Sequence, residues 1–343
     1  MLKKGQVTDQ FNWVFAVVAG GIILLLFLFI IGQLQAVGDA KLGASILQSM
    51  DAIITGSEAT DNAVTFIPIN NLFSLLITCD EDSRLLIENS VSSMDIRNRL
   101  IYAPTSVGSK ELFVATKPLA RPFPLGNAVL FSDEDILFLV YRPVSASTDN
   151  NAMLDEVVSF FPRNVTFMDT GIFQPVFSKY KKVIVITTVD PPNNLRQTTE
   201  TYPGVSVLRN TNAIWIKINT EESAELSSKT QRESTFTSQG TVTLPRFDFV
   251  TMLAYSGSKE FFECSLNKLH QRLRVVSMIY MQRAETLQTS DLVEARCRPR
   301  YAEAIPELRA LTQSLTAYNL QDRITALERI NRNLLLASCP LLY

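Results

Sequence analysis

No charged side chain lies between Asp9 and Asp39, and that window contains an unbroken apolar run from Trp13 to Ile31, WVFAVVAGGIILLLFLFII. A helix needs about 20 apolar residues, rising ~1.5 Å each, to cross a ~30 Å hydrocarbon core. The run meets that length, and Trp13 stands where an indole suits the lipid–water boundary. A buried core helix seldom needs apolar surface on every side. The segment reads as a transmembrane helix, and the rest of the chain has to be arranged around it.

Lys3 and Lys4 precede the run, against Asp9, whereas Asp39, Lys41 and Asp51 follow it. The positive side is N-terminal, so the expected topology is single-pass in the cell membrane, N-terminus cytoplasmic and C-terminal body extracellular. A cleaved secretory signal is the other reading, but its apolar stretch would be ~7–15 residues. Retention as an anchor is favoured. Beyond the run, Leu42, Ile46, Leu47, Met50, Ile53 and Ile54 recur at helical spacing. They predict a stalk helix with an apolar face turned to the body. Residues 1–56 thus form a leader, a transmembrane helix and a stalk.

The chain starts MLKKGQVTDQFNWV, a short Lys-rich leader ending in Gly5, then Gln6, then the apolar helix. This resembles the N-terminus of archaeal type IV pilin-like proteins with class III signal peptides, over about the first 35 residues. The resemblance implies an archaeal membrane protein, cleaved by a prepilin peptidase between Gly5 and Gln6. It also implies a Glu at the fifth mature position, which aids assembly in the family. That position is Gln10 here, so the family's assembly carboxylate is missing. The family's heads are usually smaller and lack a helical C-terminus, which points to a specialised component rather than a main fibre subunit.

The expected class is α+β, with a mixed, β-rich α/β ectodomain. Residues 57–150 read as β-rich: AVTFIPI (63–69), LFSLLITC (72–79), RLLIENS (84–90), ELFVATK (111–117), and the AVLFS and ILFLVYR runs over 128–142. CDEDS supplies turn chemistry for a hairpin. Three prolines make 117–126 a loop or an edge. Residues 151–257 form an α/β region, with a short helix over 153–161 and strands over 165–170, 181–189, 205–209 and 213–218. VIVITTV is apolar throughout, as in a strand buried on both faces. Residues 219–243 are rich in Ser, Thr and Glu and read as a polar loop.

From 258 to 343 the chain is a helical C-terminal unit. Phe262, Leu266, Leu269, Leu273, Val276, Tyr280 and Leu287 mark one heptad seam. Leu308, Leu311, Leu315 and Tyr318 start another, which slips near Asn319 and resumes at Leu320, Ile324, Leu327 and Leu334. The simplest arrangement is an antiparallel helical hairpin or three-helix unit. An intermolecular coiled coil is the sharper alternative. The closing CPLLY is expected to tuck into the body.

Cys79, Cys264, Cys297 and Cys339 form no C-x-x-C pair, and all fall on the outside of the expected topology. An even number in an oxidising compartment suggests two disulfides, and four cysteines allow three connectivities. A helical hairpin would bring Cys264 level with Cys339 and leave Cys79 for Cys297.

Little else in the sequence suggests chemistry. Asp169-Thr170-Gly171 after an apolar strand resembles the aspartic protease signature, but no second copy is recognisable, so a hydrolase using Asp169 is the remote alternative. Phosphate-loop and nucleophile-elbow motifs are absent. The one histidine, His270, reads as a solvated helix residue. Arg296, Arg298 and Arg300 read as a small basic patch, and Asn164-Val165-Thr166 as a glycosylation sequon. With 32 Lys plus Arg against 34 Asp plus Glu, the formal charge is −2, which argues against nucleic acid as a partner. The expectation is a non-enzymatic component of a pilus-like or cell-surface assembly, with no cofactor. Its expected partners are membrane lipid, other surface proteins and a possible homo-oligomer. The alternative is an anchored ligand- or partner-binding module with a pocket at the end of VIVITTV, near Asp190.

Overall fold

The computed structural model describes residues 25, 41, 43–68, 74–80, 83–88, 92–108, 110–119, 122–142, 148–161, 180–193, 208, 211–220, 222–246, 248–313 and 317–343. Gly5, Gln6, Gln10, Asn164, Asp169 and, apart from Leu25, the Trp13–Ile31 run lie outside these residues. Among the described residues no helix is long and apolar enough to cross a membrane. The fold is α+β, with three sheets and a helical C-terminal third.

Helix α1 covers 43–58. Its buried positions are Gly43, Leu47, Met50, Ile54 and Ser57, alternating steps of four and three, so one stripe faces inward. That stripe lies on the inner faces of two small sheets. One has the order β1 (Val64–Pro68), β7 (Glu111–Pro118), β8 (Asn127–Asp133), β5 (Ile101–Tyr102). The other runs β4 (Ser93–Asp95), β3 (Arg84–Ile87), β2 (Leu75–Ile77), β6 (Ser106–Val107). β2 and β3 form the antiparallel hairpin that the CDEDS turn predicts. Leu47, Met50 and Ile54 share a core with Leu75, Ile77, Leu85, Val114 and Phe131.

The inner strands of the first sheet, β7 and β8, are buried on both faces. Leu112 and Val114 of β7 face the α1 core, whereas Phe113 and Ala115 face the main core. The third sheet has the order β13 (Thr237–Thr243), β12 (Ser223–Lys229), β11 (Asn212–Thr220), β10 (Lys182–Thr187), β9 (Ile136–Val140). Its β10 is parallel to β9 and β11. Ile184 and Ile186 enter the main core, while Val183 and Val185 join Trp215 and Tyr141 behind the sheet, so the all-apolar run is covered on both faces. α2 (Thr148–Phe160) lies between β9 and β10 and buries Leu154 and Val157. The third sheet thus draws β9 from before residue 150.

The polar stretch 219–243 is not a loop. It folds as β12 and β13, antiparallel to each other, with β12 antiparallel to β11. Ala224, Leu226 and Val242 supply its buried apolar positions. Lys229 is also buried, its Nζ donating to the carbonyls of Thr211 (2.8 Å), Thr230 and Glu233.

Every residue of α3 (Phe249–Ser256) is buried. Gly257 ends α3 in the left-handed region at φ 64°, its N–H donating to the Leu253 carbonyl. Ser258 then caps α4 (Lys259–Thr289) by accepting from the Phe261 N–H. α5 (Arg298–Thr312) packs along α4, and α6 (Ala317–Leu336) along α5. The predicted seams are consumed inside the chain: Phe262, Leu269 and Leu273 of α4, Leu308 and Leu311 of α5, and Leu320, Ile324, Leu327 and Leu334 of α6 are all buried. The C-terminal tail tucks in as well. Leu342 is buried, its N–H donates to Asn331 Oδ1, and the Tyr301 hydroxyl donates to the Pro340 carbonyl.

Candidate functional site

The disulfides are Cys79–Cys264 and Cys297–Cys339, so the pairing expected from a helical hairpin is corrected. The cause is the number of helices. A two-helix hairpin returns its last residue to the level of its first. Three antiparallel helices place it at the opposite end, and Cys339 after α6 therefore lies beside Cys297 at the start of α5. Cys264, early in α4, is left at the other end, against Cys79 just beyond β2. Ser265 next to it donates to the Ile101 carbonyl at 2.8 Å, adding a second link between α4 and the sheets.

A polar clamp reinforces the junction of α1 with the body. Arg99 pairs with Asp51, with Glu58 at 3.2 Å and with Thr55, gripping three residues of α1 from a single side chain. Asn127 donates to the Glu58 carbonyl and the Thr116 hydroxyl to that of Thr60. Burial pushes the Glu58 carboxyl above its ordinary value, against the opposing pull of Arg99 and Arg272. Arg272 of α4 donates to the carbonyls of Leu125 and Asn98.

A largely buried charged cluster lies where β7 meets α3. Arg246 reaches Asp248 at 2.9 Å and Lys117 stands 3.9 Å from the same carboxylate. Lys117 Nζ also donates to the Asp248 carbonyl and lies 4.7 Å from the centre of the Phe160 ring. The Lys117 and Asp248 side chains are only 13% and 8% exposed. Burial pushes the Lys117 amine down to about 8, although Asp248 opposes the shift. The hydroxyls of Tyr102, Thr251 and Tyr255 are buried without a hydrogen-bond partner among the described residues.

Beside this cluster opens an apolar cleft between the β7–β8 loop, the segment before α3, and helices α4 and α6. Leu119, Leu125, Phe249, Leu273 and Ile324 line it, with Arg246 and His270 as its polar groups. His270 is half-buried rather than solvated, and burial lowers its pKa. Chemically, the cleft offers apolar surface with one guanidinium and one imidazole. No group of three or more His, Cys, Asp or Glu able to hold a metal occurs among the described residues.

Other expected sites turn out differently. Asp190, at the end of the β10 strand, is bound to Lys217 at 2.7 Å. Arg296, Arg298 and Arg300 pair with Glu294, Asp291 and Glu303, so the basic patch is neutralised residue by residue. Sequence reasoning missed Lys117, Arg246 and Asp248. The available signal was Asp248 standing directly before the apolar run FVTMLAYS, a helix-start pattern.

No family model, no curated protein and no solved structure matches this chain.

Proposed function

We propose that the chain is a membrane-anchored extracellular protein, a non-enzymatic structural or interaction component of a pilus-like or cell-surface assembly. The observation that carries this reading is the seating of α1. The helix that follows the Trp13–Ile31 run buries Leu47, Met50 and Ile54 in the body and is clamped by Arg99. A helix seated firmly in the body on the anchor side of the chain gives the body a fixed attachment, which an assembly component needs and a freely tethered domain does not. Two disulfides and no free cysteine suit an oxidising exterior.

The test is extraction of the full chain from its native membrane and the mass of its N-terminal peptide. Sedimentation with membranes after a carbonate wash, with a peptide beginning at Gln6, is the result expected of a processed pilin-like component. A peptide retaining Lys3, Lys4 and Gly5 removes the pilin-like element and leaves a permanent anchor. Recovery of the chain in the wash overturns the anchored reading altogether.

A further inference from the structure

We propose that Cys79–Cys264 is a thiol–disulfide exchange site, opened by a dithiol while the protein stays folded and Cys297–Cys339 stays closed. Cys264 is its leaving thiolate and Cys79 its thiol. This goes beyond the assembly reading and does not depend on it.

The two disulfides differ in access. Cys297 and Cys339 are only 1% and 6% exposed, so a thiol reaches that bond only after the helical unit opens. Cys79 and Cys264 are both half-buried, where the β2–β3 hairpin meets the first turns of α4. Exchange proceeds by attack of a thiolate on a disulfide sulfur, so access selects the bond that opens.

Other contacts hold these two cysteines together without the bond. Just before Cys264, Phe261 packs into the α1 core and Phe262 into the main core. Ser265 donates to the Ile101 carbonyl at 2.8 Å, and Arg272 to the carbonyls of Asn98 and Leu125. With the bond open, α4 keeps its place against the hairpin and the two sulfurs stay side by side. Closing the bond again is then an intramolecular step.

The surroundings give the two sulfurs different parts. Ser265 uses its one hydroxyl proton on Ile101, so its oxygen, 3.6 Å from Cys79 Sγ, is left to accept from a Cys79 thiol. Cys79 also opens the acidic run Asp80-Glu81-Asp82, which disfavours a further negative charge there. Lys268 lies one turn beyond Cys264, and side chains four apart on a helix are neighbours. It is half-buried, and Asp80 and Asp95 act on its amine, which sets it between α4 and the hairpin. An ammonium beside Cys264 favours the thiolate. The carboxylates that would oppose it are engaged or face solvent. Glu263 pairs with Lys259, Asp95 with Arg97, and Asp51 and Glu58 of α1 with Arg99. Glu260 on α4 and Arg84 on β3 are exposed.

The chemistry balances with a dithiol as the reductant. One thiolate of the dithiol bonds to Cys79 Sγ, the Cys79–Cys264 bond breaks, and Cys264 leaves as a thiolate. The second thiol of the dithiol loses its proton and attacks the mixed disulfide. The dithiol is released as its own disulfide, and Cys79 takes up the proton. The protein disulfide is reduced by two electrons and the dithiol is oxidised by two.

The experiment treats the full chain in detergent, without denaturant, with dithiothreitol. Timed samples are alkylated and the labelled peptides are read by mass. The label is expected on Cys79 and Cys264 at least about ten times sooner than on Cys297 and Cys339, with an unchanged circular dichroism spectrum. Removing the reductant and adding oxidised glutathione is expected to restore the Cys79–Cys264 pairing. In the opened protein at pH 7, Cys264 is expected to alkylate about ten times faster than Cys79, the effect of one unit of thiol pKa. Lys268→Met should move the pH profile of Cys264 labelling upward and leave that of Cys79 in place, and Lys268→Arg should restore it. Opening of both disulfides at one rate, a spectrum lost on reduction, equal labelling of Cys79 and Cys264, or a Cys264 profile indifferent to Lys268→Met overturns the proposal.

Discussion

The two disulfides fasten different kinds of structure. Cys297–Cys339 spans 42 residues and closes a helical unit whose three seams lie next to one another in sequence. Cys79–Cys264 spans 185 residues and joins the hairpin beneath α1 to the start of α4. The first staples a unit already held by neighbouring contacts. The second links the α1-bearing half to the helical half, alongside a shared apolar core and long-range ties such as Ser265 to Ile101, Arg272 to Asn98 and Lys117 to Asp248. The helical unit is held mainly by elements adjacent in sequence, whereas the α1-bearing half is also held by contacts between distant parts of the chain.

The largest expected effect comes from breaking each link in turn. In the chain-entropy account the longer loop is worth about 5 kcal/mol and the shorter about 4 kcal/mol, because the dependence on length is only logarithmic. Replacing both cysteines of the Cys79–Cys264 pair by Ala should lower the denaturation midpoint more than the same change in Cys297–Cys339. It should also separate the unfolding of the two halves into distinct transitions. Equal midpoint losses with a single transition would mean that the two halves fold as one unit, and the contrast drawn above would fail.

The next effect sharpens the comparison from the α1 side. Ile54 is fully buried on α1, among Leu47, Met50 and the inner faces of two sheets. Ile54→Ala removes the side chain beyond Cβ and leaves a cavity, at a cost of about 2–5 kcal/mol. That loss should fall on the seating of α1 first. Limited proteolysis of the variant should cut within 43–60 while leaving α4 to α6 protected. Protection lost uniformly along the chain would show that α1 is integral to the core rather than docked on it.

The same contrast explains what could be read in the sequence. The heptads of α4 and α6 marked many of the buried and half-buried residues of the helical unit, because a helix writes its packing face in residues three and four apart, but not the small buried Ser265, Ser277 and Ala284. The stalk stripe was legible for the same reason. The disulfide pairing was not, since it turned on whether two helices or three followed Lys259. Strands β12 and β13 were missed because their inward positions are few, chiefly Ala224, Leu226 and Val242, set among Ser and Thr that read equally well as loop. The Lys117–Asp248 cluster joins residues 131 positions apart, and no local pattern reports a contact of that range.

The smallest effect concerns that buried cluster, which bridges the two halves by holding β7 to the start of α3. The Lys117 amine has an ordinary value of 10.5 and is pushed down to about 8 in the fold. Between those values the unfolded chain binds the proton that the folded chain has released, so folding stability from this group rises with pH from about 8 toward 10.5. Lys182, Lys229 and Lys268 are lowered by burial and act in the same direction. The buried hydroxyls of Tyr102 and Tyr255 are pushed upward, so their contribution falls as pH climbs above about 10 and turns the curve over. Lys117→Met keeps the volume and the contact with Phe160, removes the buried cation, and leaves Asp248 with Arg246. Replacing a buried ion by an apolar group of similar size is often neutral or stabilising. The variant should therefore match or exceed the wild type in urea at pH 7 and show a flatter rise between pH 8 and 10. A variant clearly weaker at pH 7, with the rise intact, would mean that the Lys117 bond to the Asp248 carbonyl outweighs the burial of its charge.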